Sequence, residues 1–272
     1  MKKSVCLIIA VLFGIIAQSQ NHMNKSKNVV FIHGAWSTGE VWSPFQSYFL
    51  SKGFDVNTPT LIGHSPNSKN ELNGLSMENY VVQLRELIQQ MNSKPVLVAH
   101  SMGSIIAQRL AMERLASKLV LIAPPVNYGM MPPSQSIQTV KWVNGIDHLK
   151  ENTGKPSFDI AVEGMLFNLS DKKQKEVYGN MVDESGLVLK EMIWIKNVFG
   201  YKPNKIKYSE IKIPVLIVSG GRDKASPVKI GEKLVKKYNG NAELKVFKET
   251  AHWMLEENNW REIALSIVNW IE

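Results

Sequence analysis

Ser101 stands in a sequence pattern that can hold a nucleophile on a sharp turn. An apolar, strand-like run leads into it, and the residues two positions before and two positions after it, Ala99 and Gly103, are small. A strand-to-helix turn that exposes a serine hydroxyl leaves no room for larger side chains at those positions. The free N–H groups and positive dipole end of the next helix would favour a developing oxyanion there. The pattern predicts a nucleophile elbow; the alternative is that Ser101 only caps the helix predicted for Met102–Ala116.

An acid and a histidine follow later in the chain, each after a strand-like run. Asp223 lies in a polar turn after the run that begins at Ile213, and His252 lies shortly after the run that ends at Phe247. An acid that orients a histidine, which in turn activates a serine, is the arrangement used for nucleophilic acyl transfer. No other histidine follows Asp223 in the sequence. The alternatives are that Asp223 is a turn residue before a helix capped by Ser226 and that His252 is an ordinary loop histidine.

Another strand-like run offers the second half of an oxyanion hole. Asn28–Ile32 is rich in β-branched residues and stops at His33-Gly34-Ala35. A strand that ends in this way can direct a backbone N–H toward the elbow, and an oxyanion hole needs two converging donors. We therefore predict the N–H groups of Ala35 and Met102 as the pair, with His33 in a structural role.

The chain order of this serine, acid and histidine resembles that of the α/β-hydrolase superfamily and differs from both serine-protease orders. The resemblance extends from about Lys27 to Trp270. It implies an α/β fold with a mostly parallel sheet, helices on both faces, and a helical cap inserted after the strand that ends near Ala123. Residues 20–272 are expected to form this single domain, with the cap at about 124–211. Beyond the runs named above, strands are predicted for 55–60 and 118–123, and helices for 41–51, 77–91, 158–168, 171–181 and 187–198.

The first loop narrows the resemblance to one branch of the superfamily. His33-Gly34-Ala35, with Gly39 and Trp42 beyond it, is similar to the branch that contains plant methyl-ester esterases, hydroxynitrile lyases and many small bacterial α/β-hydrolases. The lyases of that branch have threonine in place of the glycine after this histidine, and lysine directly after the catalytic histidine. This chain has glycine and tryptophan there. The resemblance therefore implies ester-type hydrolysis and argues against cyanohydrin cleavage.

The predicted cap is rich in methionine and aromatic residues, which offer adaptable apolar surface. This composition favours a substrate with an apolar acyl or alcohol group. The alternative is that most of these side chains pack the cap onto the core. The candidates for the substrate pocket are Trp36, Met130, Met165, Trp194 and Trp253.

The expected mechanism is two-step acyl transfer that requires no metal and no organic cofactor. Lactone, amide or carbon–carbon bond hydrolysis and haloperoxidase-like perhydrolysis are alternatives that use the same three residues. A ligand-binding receptor without turnover is the alternative from outside the enzymes. Dehalogenation in this superfamily uses an aspartate at the elbow, and Ser101 argues against it.

The N-terminus has the pattern of a secretory signal peptide. Lys2 and Lys3 precede an apolar block, Val5–Ala17, and small residues stand at Ala17 and Ser19. The block is too short for a membrane-spanning helix of roughly twenty residues. We expect cleavage after Ser19, export to the periplasm or medium, and no stable membrane insertion afterwards. If translation starts at Met23, the enzyme would instead be cytoplasmic.

The positive charge of the chain does not indicate a nucleic-acid partner. The formal net charge is +8, two units of which belong to the leader lysines. The lysines of the helix that ends at Tyr238 are expected to form one solvated face. Nucleic-acid-binding patches usually include arginine-rich or aromatic elements, whereas here arginine is sparse and the aromatic residues are scattered. The expected partner is a small apolar ester-like molecule.

The remaining histidines are interpreted as bystanders. Gly63-His64-Ser65 imitates an elbow, but no buried strand leads into it, so we interpret it as a loop. His100 is expected to pack beside the elbow. His22 lies in the N-terminal tail, and His148 lies in a polar stretch that favours solvent exposure.

Overall fold

A six-stranded parallel sheet forms the centre of the molecule, seen in a computed structural model that describes residues 27–65, 68–131, 133, 153–192 and 205–272. The strands of this sheet are β1 (Asn28–Ile32), β2 (Asp55–Asn57), β3 (Val96–His100), β4 (Lys118–Ile122), β7 (Val215–Gly220) and β8 (Ala242–Phe247). Their order in the sheet is β2-β1-β3-β4-β7-β8, and every neighbouring pair is parallel. A separate antiparallel pair consists of β5 (Thr153–Gly154) and β6 (Glu184–Ser185).

Helices lie on both faces of the sheet. They are α1 (Ser43–Ser51), α2 (Met77–Gln89), α3 (Gly103–Met112), α4 (Phe158–Ala161), α5 (Asp171–Asn180), α6 (Gly186–Met192), α7 (Val228–Tyr238) and α8 (Trp260–Ile271). Short 3-10 turns are present at Gly39–Trp42, Lys69–Leu72 and Tyr208–Glu210, and a π-helical turn at Val162–Leu166. The described parts of the chain contain no helix that combines the length and apolarity needed to cross a bilayer.

The two faces of the sheet form two apolar clusters. Along β1, Val29 and Phe31 belong to the cluster that contains α1 and α8, whereas Val30 and Ile32 belong to the cluster that contains α2, α3 and α7. Strands covered on both faces are nearly continuous apolar runs rather than alternating ones. This burial explains why the sequence runs were recognisable as strands, and it confirms the predicted α/β fold class.

The strand order creates a crevice at the carboxyl ends of β1 and β3. These two strands are neighbours, but the chain leaves β1 toward α1 on one face and leaves β3 toward α3 on the other. Ligands bind in open α/β sheets at such a topological switch point. The residues after β1 and the elbow serine after β3 therefore meet at the expected place for a site.

The segment between β4 and β7 contributes a second group of short elements. Its residues 153–192, called the insert below, contain β5, α4, the π-helical turn, α5, β6 and α6. Buried insert residues such as Ala161, Leu166 and Val188 belong to the same apolar cluster as α2 and α3. The insert therefore shares the apolar cluster on the side of the sheet that carries the helix after Ser101.

Several boundaries differ from the sequence predictions. The predicted strand 55–60 ends at Asn57. The chain beyond it contacts the 3-10 turn that follows β1, since the Gly39 N–H donates to the Thr60 hydroxyl at 3.0 Å. The helix predicted from residue 41 is a 3-10 turn up to Trp42 and an α-helix only from Ser43. The helix predicted for Met102–Ala116 spans Gly103–Met112, since residues 101 and 102 form the turn itself.

The residue that caps the N-terminus of α7 differs from the sequence interpretation, in which Ser226 is the N-cap. The helix begins at Val228 with Pro227, not Ser226, in the cap position. The Ser226 N–H instead donates to the Asp223 carboxylate at 2.7 Å, which holds this residue in the preceding turn. Helix α6 covers Gly186–Met192 of the helix predicted for 187–198, and residues 193–198 lie outside the described residues.

Candidate active site

Ser101 occupies a strained turn between β3 and α3. Its φ of +48° is in the left-handed region, which is costly for a residue with a side chain and is found where a site over-determines the backbone. The Ser101 N–H donates to the Ile122 carbonyl at 2.9 Å. A Cβ atom at Gly103 would lie 2.6 Å from the carbonyl oxygens of Ile32 and His33, so the small residue is required for α3 to begin this close to β1. The turn therefore has the strained strand-to-helix geometry that the elbow prediction requires.

His252 is hydrogen-bonded to both other candidate residues at once. Its Nε2 lies 3.1 Å from the Ser101 hydroxyl and its Nδ1 lies 2.9 Å from Oδ2 of Asp223. Because an ionised carboxylate only accepts, the proton is assigned to Nδ1, and in the neutral ring the Nε2 lone pair faces the serine hydroxyl. His252 and Asp223 are both buried. This geometry allows the histidine to take the proton of the serine.

The loops after β7 and β8 are packed closely together, which brings Asp223 to His252. A Cβ atom at Gly220 would lie 2.5 Å from the Thr250 carbonyl oxygen and 2.6 Å from that of Ala251. The Arg222 N–H donates to the Thr250 carbonyl at 2.9 Å. Because the strands are parallel, both loops leave the same edge of the sheet as Ser101.

His100 lies directly behind this arrangement. Its Nε2–H donates to the backbone carbonyl of His252 at 2.9 Å, and the two rings are 5.1 Å apart. Complete burial, together with the proximity of His252, lowers the pKa of His100 to about 3. His100 is therefore a neutral donor beside the candidate base, in agreement with its predicted packing role.

His33 has the structural role predicted for it. Its ring accepts a hydrogen bond from the Leu61 N–H at 3.0 Å and donates to the Gly34 carbonyl at 2.8 Å. Burial, with a smaller contribution from the neighbouring His64, lowers the pKa of His33 to about 3. The neutral ring thus joins the loop after β1 to the loop after β2.

The two predicted oxyanion donors lie in the loops that meet at the crevice. Ala35 and Met102 are both buried. Among the described residues, neither backbone N–H donates a hydrogen bond to another backbone group. Both donors remain candidates for a developing oxyanion beside Ser101.

The candidate pocket residues are used for packing where the structure describes them. Met130 and Met165 are buried in the apolar cluster, and the Met130 sulfur accepts from the Tyr208 hydroxyl at 3.4 Å. Trp36 and Trp253 are also buried, and both line a depression of about 300 Å³ whose lining does not include Ser101. Trp194 lies outside the described residues. A role of these residues in substrate binding stays a prediction.

Trp36 connects the site to the insert. This residue follows Ala35 and has a φ of +61°, which is unusual for a bulky side chain. Its indole N–H donates to the Gly154 carbonyl at 3.1 Å, and its own carbonyl accepts from the Val182 N–H at 3.0 Å. The backbone that leads away from the candidate oxyanion hole is thus held by two parts of the insert.

A buried ionic cluster that sequence reasoning missed lies where the insert meets α2. Glu184 accepts from the Tyr80 hydroxyl at 2.6 Å and from His64 Nε2 at 2.9 Å, and both side chains of the His64–Glu184 pair are fully buried. Glu191 also comes from the insert and accepts from the Met77 N–H at 2.7 Å, at the start of α2. The loop interpretation of His64 is confirmed, but no sequence spacing signals its partner Glu184, which lies 120 residues away in the chain. Among the described residues, no group of three or more His, Cys, Asp or Glu side chains could hold a metal ion.

Comparison with known proteins assigns the family. A sequence profile of the alpha/beta hydrolase family matches residues 29–264. The pyrethroid hydrolase of Sphingobium wenxiniae is 21% identical over 225 residues, which are 78% of this chain and 77% of the relative. A non-heme chloroperoxidase of Kitasatospora aureofaciens is 25% identical over 245 residues, which are 84% and 86% of the two chains. The crystal structure of a methylesterase from Arabidopsis superimposes with a TM-score of 0.69 at 13% identity and covers 90% of this chain and 98% of the other.

The chain belongs to the alpha/beta hydrolase family. The likeness to the methylesterase shows the fold, and the family assignment supports ester hydrolysis of a small molecule at the level of the family.

Proposed function

We propose that this protein is a serine hydrolase that cleaves a carboxylic ester through an acyl-enzyme. The observation that supports the proposal most directly is the His252 ring, which is hydrogen-bonded to Ser101 on one side and to Asp223 on the other. The names of the pyrethroid hydrolase and the methylesterase, to which the chain is similar, agree with ester chemistry.

In the first step, His252 accepts the Ser101 proton while the serine oxygen attacks the ester carbonyl. The N–H groups of Ala35 and Met102 hold the oxyanion that forms, and the alcohol leaves with the proton from His252. Asp223 keeps the proton on Nδ1 of the ring and stabilises the imidazolium. The product of this step is the acyl-enzyme on Ser101.

In the second step, His252 takes a proton from a water molecule, which attacks the acyl carbonyl and releases the acid. The proton then returns to Ser101. Neither step requires a metal ion or an organic cofactor.

The substrate is proposed to have an apolar acyl or alcohol group, covered by a cap formed from about 124–211. Two observations on the insert support this: its residues bond to Trp36, next to the oxyanion loop, and its buried apolar residues belong to the same cluster as α3. The cap would then keep bulk solvent away from the ester, while still admitting the attacking water, and would select the size of the group that fits.

The test is hydrolysis of a chain-length series of p-nitrophenyl esters by the purified protein and by its Ser101→Ala variant. We expect turnover in the wild type and a loss of about 10⁴-fold or more in the variant, because the three residues act as a unit. Ser65→Ala is the matched control, since this exposed serine also follows a histidine. A folded wild type that turns over no ester, or a Ser101→Ala variant as active as wild type, would contradict the proposal.

Perhydrolysis is a second candidate, favoured by the similarity to the chloroperoxidase over 84% of this chain. Hydrogen peroxide would replace water in the second step, and the acyl group would leave Ser101 as a peroxy acid. Peroxide-dependent formation of a peroxy acid, abolished by Ser101→Ala, is the expected result. If no peroxy acid forms while ester hydrolysis is normal, the activity of the enzyme is restricted to hydrolysis.

We also propose that residues 1–19 direct export. The support is the basic, apolar and small-residue order of the N-terminal sequence. Mass spectrometry of the exported protein is expected to find Gln20 as the first residue. A product that begins at Met23 and stays in the cytoplasm would contradict this.

A further inference from the structure

We infer that Glu257 is a positioning residue for His252: its carboxylate fixes the backbone of the loop that carries this histidine, and Asn168 of the insert holds the carboxylate in place. The inference rests on the proposed function, because it assigns a partner to the base of that mechanism. If the inference is right, the position of His252 depends on a contact with the insert, and not only on Ser101 and Asp223.

The first step of the argument is the contact next to His252. Oε1 of Glu257 accepts a hydrogen bond from the Ala251 N–H at 2.8 Å, and Ala251 directly precedes the histidine. Both residues are buried, with Glu257 only 4% exposed. A buried N–H that loses its partner is costly, so this bond fixes the peptide from which the imidazole ring projects.

The second step is the contact of Glu257 with the insert. The side-chain amide of Asn168 donates to Oε2 of Glu257 and also to the Glu249 carbonyl at 2.9 Å. One amide group of the insert therefore touches the loop both before and after His252. The insert and the histidine loop are joined at the same carboxylate that holds the Ala251 N–H.

The neighbouring residues of the insert strengthen this connection. Lys173 forms an ion pair with Glu256 at 2.9 Å. The Lys224 ammonium, next to Asp223, lies 4.1 Å from the centre of the Phe167 ring. The turn around Asn168 thus contacts the loop that carries the base and the loop that carries the acid.

The cost of burying the Glu257 carboxyl group also indicates that this side chain has a specific role. Burial raises the pKa of its carboxyl group, although the bonds from Asn168 and Ala251 favour the ionised form. A buried carboxylate lowers stability unless its partners compensate, whereas an apolar residue there would pack without that cost. What the carboxylate uniquely supplies is two acceptor oxygens for donors on two different segments.

The experiment compares four variants of the full-length protein in ester hydrolysis, with kcat and KM determined separately and thermal unfolding followed in parallel. The variants are Glu257→Ala, Glu257→Gln, Asn168→Ala and Glu262→Gln. Glu262 is exposed and lines the same surface depression as Glu257, so its variant is the matched control for the loss of one negative charge.

We expect Glu257→Ala to lower kcat about 30-fold with KM changed less than about threefold, because a small displacement of a catalytic group costs rate more than binding. Glu257→Gln keeps an acceptor for the Ala251 N–H and should recover most of this loss. Asn168→Ala should lower kcat by a smaller factor than Glu257→Ala, and Glu262→Gln should behave as wild type.

Three results would overturn the inference. Wild-type kcat in Glu257→Ala and Asn168→Ala together would mean that the contact does not position the base. A kcat loss in Glu257→Gln as large as in Glu257→Ala would assign the effect to charge rather than to the acceptor. A kcat loss that disappears once the unfolded fraction is subtracted would leave only a structural role. If the wild type itself has no Ser101-dependent turnover, the proposed function fails first, and that outcome is distinct from these three.

Discussion

The sheet edge that carries Ser101 and the surface where the insert meets α2 use buried histidine in opposite ways. At the sheet edge, burial lowers the pKa of His33 and of His100 to about 3, so both rings are neutral. At the insert surface, burial alone would lower the pKa of His64, but Glu184 raises it above its usual value. Both ring nitrogens of His64 face acceptors, the Ile62 carbonyl and the Glu184 carboxylate, which agrees with a charged ring.

The difference follows from what each surface must do. A positive charge on His100 would lie beside His252 and would oppose formation of the second imidazolium in the proposed mechanism. Neutral donors fix the backbone there without this effect. At the insert surface no such chemistry is proposed, and a buried ion pair can fix one orientation of the insert on the core.

The largest expected effect tests the sheet edge. Asp223→Asn keeps the shape of the side chain but can stabilise the wrong tautomer of His252, and we expect kcat to fall about 10⁴-fold. The free energy of unfolding should change little, because the amide oxygen of the new asparagine can still accept the hydrogen bond from the Ser226 N–H. Kinetics with the best ester of the series measure this, and Asp55→Asn, at an exposed edge position, is the control. Turnover near that of wild type would remove Asp223 from the proposed mechanism.

The next effect tests the insert surface. Glu184→Gln removes the charge opposite His64 while it retains an acceptor for Tyr80, and breaking a buried pair in this way costs about 3 kcal/mol of unfolding free energy. Denaturant unfolding measures the change, with Glu163→Gln as an exposed control in the insert. The activity of the folded fraction should remain, since none of these groups contacts Ser101 in the described structure. An unchanged free energy of unfolding would show that the pair does not hold the insert.

The third effect, of about 2 kcal/mol, is a difference between the two surfaces in how their histidines make the free energy of unfolding depend on pH. The lowered pKa of His33 means that the unfolded chain binds its proton first, so stability is full above pH 6.5 and decreases by about 2 kcal/mol at pH 5. The raised pKa of His64 has the opposite sign: its contribution is present below pH 6.5 and is lost as the pH rises through the folded-state value.

The variants should therefore change the pH dependence of unfolding in opposite directions. His33→Gln should make stability decrease less between pH 8 and pH 5, and His64→Gln should make it decrease more. Urea unfolding at several pH values measures both slopes. Slopes that change in the same direction would contradict the assigned charge states.

The same contrast explains what the sequence could predict. The fold class, the turn at Ser101 and the neighbours of that turn depend on local patterns, namely apolar strand runs and small residues at fixed spacing. Those patterns can be recognised in the sequence because strands that are buried on both faces are nearly continuous apolar runs. The sequence order also placed Asp223 and His252, which the structure brings together.

The contacts of the insert were not predictable in this way. Glu184 and His64 are 120 positions apart, and Asn168 and Glu257 are 89 apart. No periodicity links such pairs, because tertiary packing alone brings them together. For that reason the sequence alone indicates a bystander role for His64, and in the sequence Glu257 looks like any acid of a polar loop.

The smallest expected effect uses two glycines to compare how tightly the regions are packed. A Cβ atom at Gly179, in α5 of the insert, meets nothing within 4 Å among the described residues. Because glycine within a helix is less stable than alanine, Gly179→Ala should raise the free energy of unfolding by about 0.5–1 kcal/mol and leave kcat unchanged. Gly103→Ala, where the added atom would contact two carbonyl oxygens of β1 and its following loop, should instead lower both. Equal effects at the two positions would mean that the sheet edge tolerates displacement as the insert does, and the close approach of α3 to β1 would then not be needed to position the site.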